Sequence, residues 1–380
     1  MTQAVSSPAK NPAGLEGVVA APSEICFIDG SAGKLVYRGY DIGDLVENLS
    51  FEETAYLLWS TKLPNRSELS HLKSDLGANC TLPSHTLAIL RALPAATEPM
   101  DALRTAVSSL SSIDPDLQSN EPDANLRKAI RLTAQLPTIV AAFHRLRNNQ
   151  KPIDPDPGAS VAANFLHMLN GSHPHDTLVR VLDAALVLHA EHGFNASTFA
   201  ARVTAATLAD MHAAVTAAIA ALKGPLHGGA NQEVMQLLLD CGSAESAVKK
   251  VRNMLSSGEK VPGFGHRVYK TFDPRAAFLR KMSKQLGEAA GNSKWYEMSE
   301  RLIPIVKEMK NKDPNVDFFS ASAYYTMGIP IDLYTPIFAI ARIAGWTAHI
   351  MEQHSNNRII RPQDDYRGPI GLKTVPIEQR

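Results

Sequence analysis

Cysteine is scarce in this 380-residue chain: Cys26, Cys80 and Cys241 stand far apart, with no CxxC pair, and an odd number cannot all bridge within one chain. That excludes a disulfide scaffold and fits a reducing, cytoplasmic setting. Excess charge is absent as well. Lys+Arg 38 balance Asp+Glu 38, so no long-range field draws the chain to nucleic acid or an acidic membrane, and an anionic ligand must be held by local groups. Long apolar runs are missing too: the richest, Ala213 to Leu222, falls well short of the roughly 20 residues a bilayer demands. Met1 to Asn11 has Lys10 as its one basic residue and no apolar core of the secretory kind, so it reads as a loose tail. No fixed period of about 20 to 50 residues recurs, which rejects a solenoid.

What is there is mainly helix. The length suits two domains. Ser23 to Ile42 holds two β-prone runs, ICFI and KLVY, separated by Asp-Gly and Ser-Ala-Gly, a hairpin signal. Ser50 and Glu53 then form a capping box ahead of AYLLW. Alanine-rich helices are expected at Asp101 to Leu110, Leu126 to Arg147, Val161 to Met168, Asp176 to His192, Ser197 to Leu208, Ala213 to Lys223, Gln232 to Leu239 and Ala244 to Leu255. Pro274 to Leu286, Trp295 to Met309, Asp317 to Thr326 and Pro336 to Gln353 complete the set. Ser111 to Ala124 and Asn148 to Gly158, rich in Pro, Asp and Asn, read as exposed connections. The fold class is all-α with a small N-terminal β-hairpin.

Three segments interrupt the helices with turn residues and put an ionisable side chain at the break. GPLHGGAN sets His227 beside a Gly-Gly pair, where a ligand or another backbone can approach closely. GFGHRVYK holds His266 behind two glycines and leads into Asp273-Pro274-Arg275, an N-cap, a first-position proline and a first-turn arginine. A helix N-terminus with an arginine is an anion site. PNVDFF puts Asp317 in a first helical turn beside two rings; apolar neighbours raise its pKa and the helix dipole lowers it. Taken singly, each group also has a structural reading. His192 closes the helix Asp176 to His192 before Gly193, whereas His189 continues the apolar stripe of Leu178, Leu182 and Ala185 as a core histidine. Arg342, between PIFAI and IAGW, is costly to bury without a carboxylate from protein or ligand.

GPLHGGAN, GFGHRVYK with DPR, PNVDFFS, FAIARIAGW, HAEHGFNAS and NRIIRP, together in one order, resemble the citrate synthase family. The resemblance runs from about Gly14 and is densest from Leu186 to Pro362. It implies a large helical domain formed by residues 1–224 and 334–380, interrupted at residues 225–333 by a small domain that closes over substrate. It implies that Asp317 takes a proton from the methyl group of acetyl-CoA, that His227 holds the thioester oxygen of the enol or enolate, and that His266 protonates the keto oxygen of oxaloacetate. His192, Asn195, Arg275, Arg342 and Arg361 would bind oxaloacetate, with Arg361 reaching the neighbouring subunit of a homodimer. Lys260, Val261, Gly263, Arg267, Lys310 and Lys312 would meet CoA. CoA is then a substrate, with no cofactor and no metal. Gln232, Gly193 and Phe319 depart from residues frequent in the family.

Three other readings compete. A 2-methylcitrate synthase differs by one methylene of the acyl group, worth only about 1 to 3 kcal/mol of discrimination. A metal-dependent hydrolase would use His189 with His192, or His173 with His175, but has no HExxH. A non-catalytic helical assembly protein would need neither His227 nor Asp317.

Overall fold

The computed structural model describes residues 13–15 and 17–380; the tail Met1 to Asn11 lies outside them. Strands β1 (Cys26–Asp29), β2 (Lys34–Tyr37) and β3 (Tyr40–Asp41) form an antiparallel sheet with Cys26 opposite Tyr37 and Val36 opposite Asp41. The sequence anticipated the hairpin but not β3, whose two residues are too few to show an alternation.

Sixteen α-helices follow among the described residues. The first five are α1 (Ile42–Asn48), α2 (Phe51–Ser60), α3 (Arg66–Asn79), α4 (Ser84–Ala92) and α5 (Pro99–Leu110). Next come α6 (Pro122–Arg147), α7 (Val161–Asn170), α8 (Asp176–His189), α9 (Ala196–Ala205) and α10 (Met211–Leu222). The rest are α11 (Ala230–Cys241), α12 (Ala244–Ser256), α13 (Pro274–Ala289), α14 (Lys294–Lys310), α15 (Val316–Thr326) and α16 (Tyr334–Ser355). The capping box at Ser50 is formed: its hydroxyl accepts from Glu53 N while Glu53 Oε2 accepts from Ser50 N.

α16 is the spine. Every residue from Tyr334 to Ile350 is buried, and the helix packs on α2, α5, α6, α8, α9 and α10. A helix apolar all round belongs in a core, so its few polar residues, Arg342 and His349 among them, must be met by internal partners. α11 to α15 form a second group, with α13 on α15 and α12 on α14 as its main pairs. No helix is long and apolar enough to cross a membrane.

The connection Ser111 to Ala124 is mostly exposed or half-buried, as read, and it is pinned: Arg131 grips Asp114 through two bonds of 2.9 and 2.7 Å, with the Asp114 side chain buried. One reading is corrected. Helix α8 stops at His189, three residues short of His192. Tyr37 Oη donates to Glu191 O at 2.7 Å and accepts from Glu191 N, while Arg342 Nε takes His189 O at 2.6 Å. These bonds divert the backbone groups that a further turn would need. His192 therefore sits in the turn after the helix, where Gly193 adopts φ 59°.

Candidate active site

Two catalytic-type loops are stitched to each other before any ligand is considered. Gly265 N donates to Asp313 O, Asn315 N to Gly263 O and Asn315 Nδ2 to Gly265 O, each at 2.9 Å, around a bridge between Phe264 and Pro314. This brings His266 and the first turn of α15, with Asp317, into one unit. Gly263 makes the approach possible: its φ is +78°, and an added Cβ would lie 2.7 Å from Val234 Cγ2 and 2.8 Å from Phe318 Cδ2. Gly263→Ala is therefore expected to cost about 1 to 3 kcal/mol in denaturant melts and to lower turnover, as both loops shift together.

Asp273 ties a third piece in. It caps α13, holds the Arg275 guanidinium through bonds of 2.9 and 2.8 Å, and accepts Val316 N at 3.1 Å. Arg275 is buried and its guanidinium is held well above its ordinary pKa by Asp273, against the opposing effect of burial. Its Nη1 remains without a partner among the described residues. Arg342, also buried, has no ion pair there at all: beyond His189 O it meets the Phe338 ring, 4.7 Å from the centroid.

The histidines are polarised by what they accept. His266 Nδ1 accepts from Val268 N and Tyr269 N at 3.0 and 3.3 Å, so the proton of the neutral ring is on Nε2. His227 Nε2 accepts from Ser197 N at 3.2 Å and lies 2.8 Å from Ser197 Oγ, which leaves its proton on Nδ1. Burial pushes both pKa values down to about 4, and nearby arginines add to the effect. Both rings are thus neutral donors at pH 7. His192 lies 5.0 Å from the His266 ring centre, has Tyr269 Oη 3.1 Å from its Nε2, and is kept neutral chiefly by burial and then by Arg275.

Asp317 is the complement of these donors. Its carboxylate is half-buried and accepts no hydrogen bond among the described residues, and burial pushes its pKa up to about 6 against the pull of Arg275. Between the two opposing influences foreseen at the helix start, burial wins. A carboxylate poised near neutral pH, tied through its helix start to the loop of the neutral His266, suits proton abstraction from a weak carbon acid when the developing negative charge is met by fixed N–H groups.

The remaining sequence-predicted residues fall into different places. Asn195 caps α9, its Oδ1 taking Thr198 N and lying 2.8 Å from the Ser197 hydroxyl. Val261 and Gly263 are buried, and Lys260, Arg267, Lys310 and Lys312 are exposed. Lys312 lies against Gly265, close to where a Cβ would sit. Arg361 is in the exposed C-terminal segment, outside the cluster formed by a single chain. Ser197, Tyr269 and Asp273 hold candidate site residues in place without having been picked out as such; Asp273 alone left a local trace, as a helix cap.

The rival histidine pairs have other work. His189 Nδ1 bonds Ala185 O at 2.7 Å, His173 stacks on His167, and His175 caps α8 by accepting Thr177 N. Among the described residues no group of three His, Cys, Asp or Glu side chains is placed to hold a metal ion.

Comparison with known proteins supplies the family. The family described as "Citrate synthase, C-terminal domain" matches residues 14–363. The chain belongs to the citrate synthase family. It is 51% identical to citrate synthase 2 of Bacillus subtilis over 97% of this chain and 98% of that protein. The 2-methylcitrate synthase of Shewanella oneidensis is 42% identical over 97% of this chain and 98% of its own. The crystal structure of citrate synthase from Pyrobaculum aerophilum superposes with a TM-score of 0.91 at 39% identity, covering 97% of this chain and 95% of that one. A ternary complex of citrate synthase from Thermoplasma acidophilum with carboxymethyl coenzyme A and oxaloacetate gives 0.90 at 31% identity, covering 97% and 98%. The chain is accordingly an acyltransferase with the all-α fold of that family.

Proposed function

We propose that the chain condenses acetyl-CoA with oxaloacetate and then hydrolyses citryl-CoA to citrate and CoA. The observation that carries this is the complementary protonation of the three groups: Asp317 is a raised, unpartnered carboxylate, while His227 and His266 are neutral with their donor nitrogens assigned. Asp317 removes a methyl proton, and the enolate oxygen takes a hydrogen bond from His227 Nδ1–H. The methylene carbon attacks the keto carbon of oxaloacetate, whose oxygen receives the proton of His266 Nε2. Water then cleaves the thioester. His192, Asn195, Arg275 and Arg342 hold the two carboxylates of oxaloacetate, and Lys260, Val261, Gly263, Arg267, Lys310 and Lys312 receive CoA, whose phosphates suit the exposed cations. CoA serves as substrate, and the chemistry draws on no resident cofactor.

In this reading the protein works in the cytoplasm as a homodimer. The segment after α16 exposes Ile359, Ile370, Leu372 and Ile377, apolar surface that a second copy would cover, and Arg361 on the same segment would enter the partner's site. Residues 225–333 close over oxaloacetate as a small domain, excluding water until the carbon–carbon bond is made.

The acyl group is decided by measuring free-thiol release with oxaloacetate and either acetyl-CoA or propionyl-CoA. A higher kcat/KM for acetyl-CoA is expected; a preference for propionyl-CoA would make the chain a 2-methylcitrate synthase. The acid limb of kcat/KM is expected near pH 6 with unit slope, because Asp317 must be ionised and the histidines stay neutral down to about pH 4. A limb near pH 4 would remove Asp317 from the role of base.

A further inference from the structure

Glu191 is a buried carboxylate that the mechanism above leaves without a task. It is fully buried; its Oε1 accepts from His349 Nε2 at 3.0 Å, and its Oε2 has no partner among the described residues. Arg202 Nη1 donates to His349 Nδ1 at 3.1 Å, and an arginine can only donate, so the imidazole proton is on Nε2 and points at Glu191. Arg202 in turn is anchored by Glu352 at 2.6 Å.

Positions 342, 345 and 349 share one face of α16, three and four residues apart. All three grip the turn that carries His192. Arg342 takes His189 O, Gly345 offers a bare Cα to Ala190 and Glu191, and His349 donates to Glu191. A Cβ at 345 would lie 2.2 Å from Glu191 Oε2. The carboxylate therefore rests about one helical turn from the root of Arg342 without touching its guanidinium. Burial pushes the Arg342 pKa down, and Glu191 is the leading group that opposes it.

We propose that Glu191 is the resident counter-charge of Arg342: it offsets the cost of burying the guanidinium in the free protein while leaving its fork open, and it repels the carboxylate of the incoming keto acid. The inference rests on Arg342 binding a substrate carboxylate. It gives a sign that a purely mechanical role would not. A brace, once removed, loosens the His192 turn and weakens binding, whereas a counter-charge, once removed, takes away a like charge and tightens it.

The test is the KM for oxaloacetate and the thermal shift produced by malonate, an unreactive dicarboxylate, in wild type, Glu191→Asp and Glu191→Gln. Glu191→Gln is expected to melt at a lower temperature without ligand, to lower the KM about three- to tenfold, and to give a larger malonate shift. Glu191→Asp, with its charge drawn back by one methylene, is expected to fall between. If the Gln variant does not fold, the Asp variant decides alone. A KM equal to or above wild type, with no gain in malonate shift, overturns the proposal. If wild type shows no turnover with oxaloacetate, the assigned reaction fails, and the malonate shift still reads the counter-charge.

Discussion

Asp317→Asn is expected to remove about 10³- to 10⁴-fold of turnover and, at the same time, to make the protein more stable at pH 7. The two effects have one origin. The folded chain holds this carboxyl at a pKa of about 6, above the ordinary 3.8, because the charged form is desolvated. A raised carboxyl binds its proton more tightly folded than unfolded, so stability is present at low pH and is lost as pH rises through about 4 to 6. About two pK units at roughly 1.4 kcal/mol each set an upper limit near 3 kcal/mol, and partial exposure brings the expected gain to about 1 to 2 kcal/mol. Denaturant melts at pH 4.5 and 7.5 check the sign: the variant's advantage should be seen at pH 7.5 and shrink at pH 4.5. A variant that is inactive and less stable at both would mean that Asp317 is held by contacts the structure does not contain.

Arg342→Lys is expected to raise the KM for oxaloacetate about 10²-fold with a much smaller change in kcat. Lysine keeps the charge but loses both the planar fork and the bond from Nε to His189 O. Truncating one partner of a buried charged hydrogen bond costs about 2 to 5 kcal/mol, which spans that factor. Steady-state kinetics at saturating acetyl-CoA check it. An unchanged KM would take Arg342 out of the substrate site and leave it as a brace for the His192 turn.

Much of the site could be read along the chain because its loops are local inventions. GPLHGG and GFGH announce close backbone approach by composition, and Asp273-Pro274 announces a helix start; the structure forms each as read. Arg342 stood out because its neighbours along α16 are apolar, although the expected carboxylate did not arrive as a direct partner. What could not be read is the pairing. Ser197 meets His227 across 30 residues, Tyr269 meets His192 across 77, and His349 meets Glu191 across 158. Such contacts follow from how α16 and its neighbours pack, and no local pattern encodes them. The end of α8 was misplaced for the same reason, since Tyr37 and Arg342 terminate it from distant parts of the chain. Helix α3 escaped notice because it buries only Leu72 and Leu76, too few apolar positions to mark a face.

The central claim is that one chain's His227, His266 and Asp317 turn a thioester methyl group into a nucleophile for a keto diacid. It is tested most directly by free-thiol release from acetyl-CoA by the purified protein at pH 7.5, with and without oxaloacetate. Release that needs oxaloacetate and yields one citrate per thiol is the predicted result. A folded protein that releases no thiol, or releases it equally well without oxaloacetate, would contradict it.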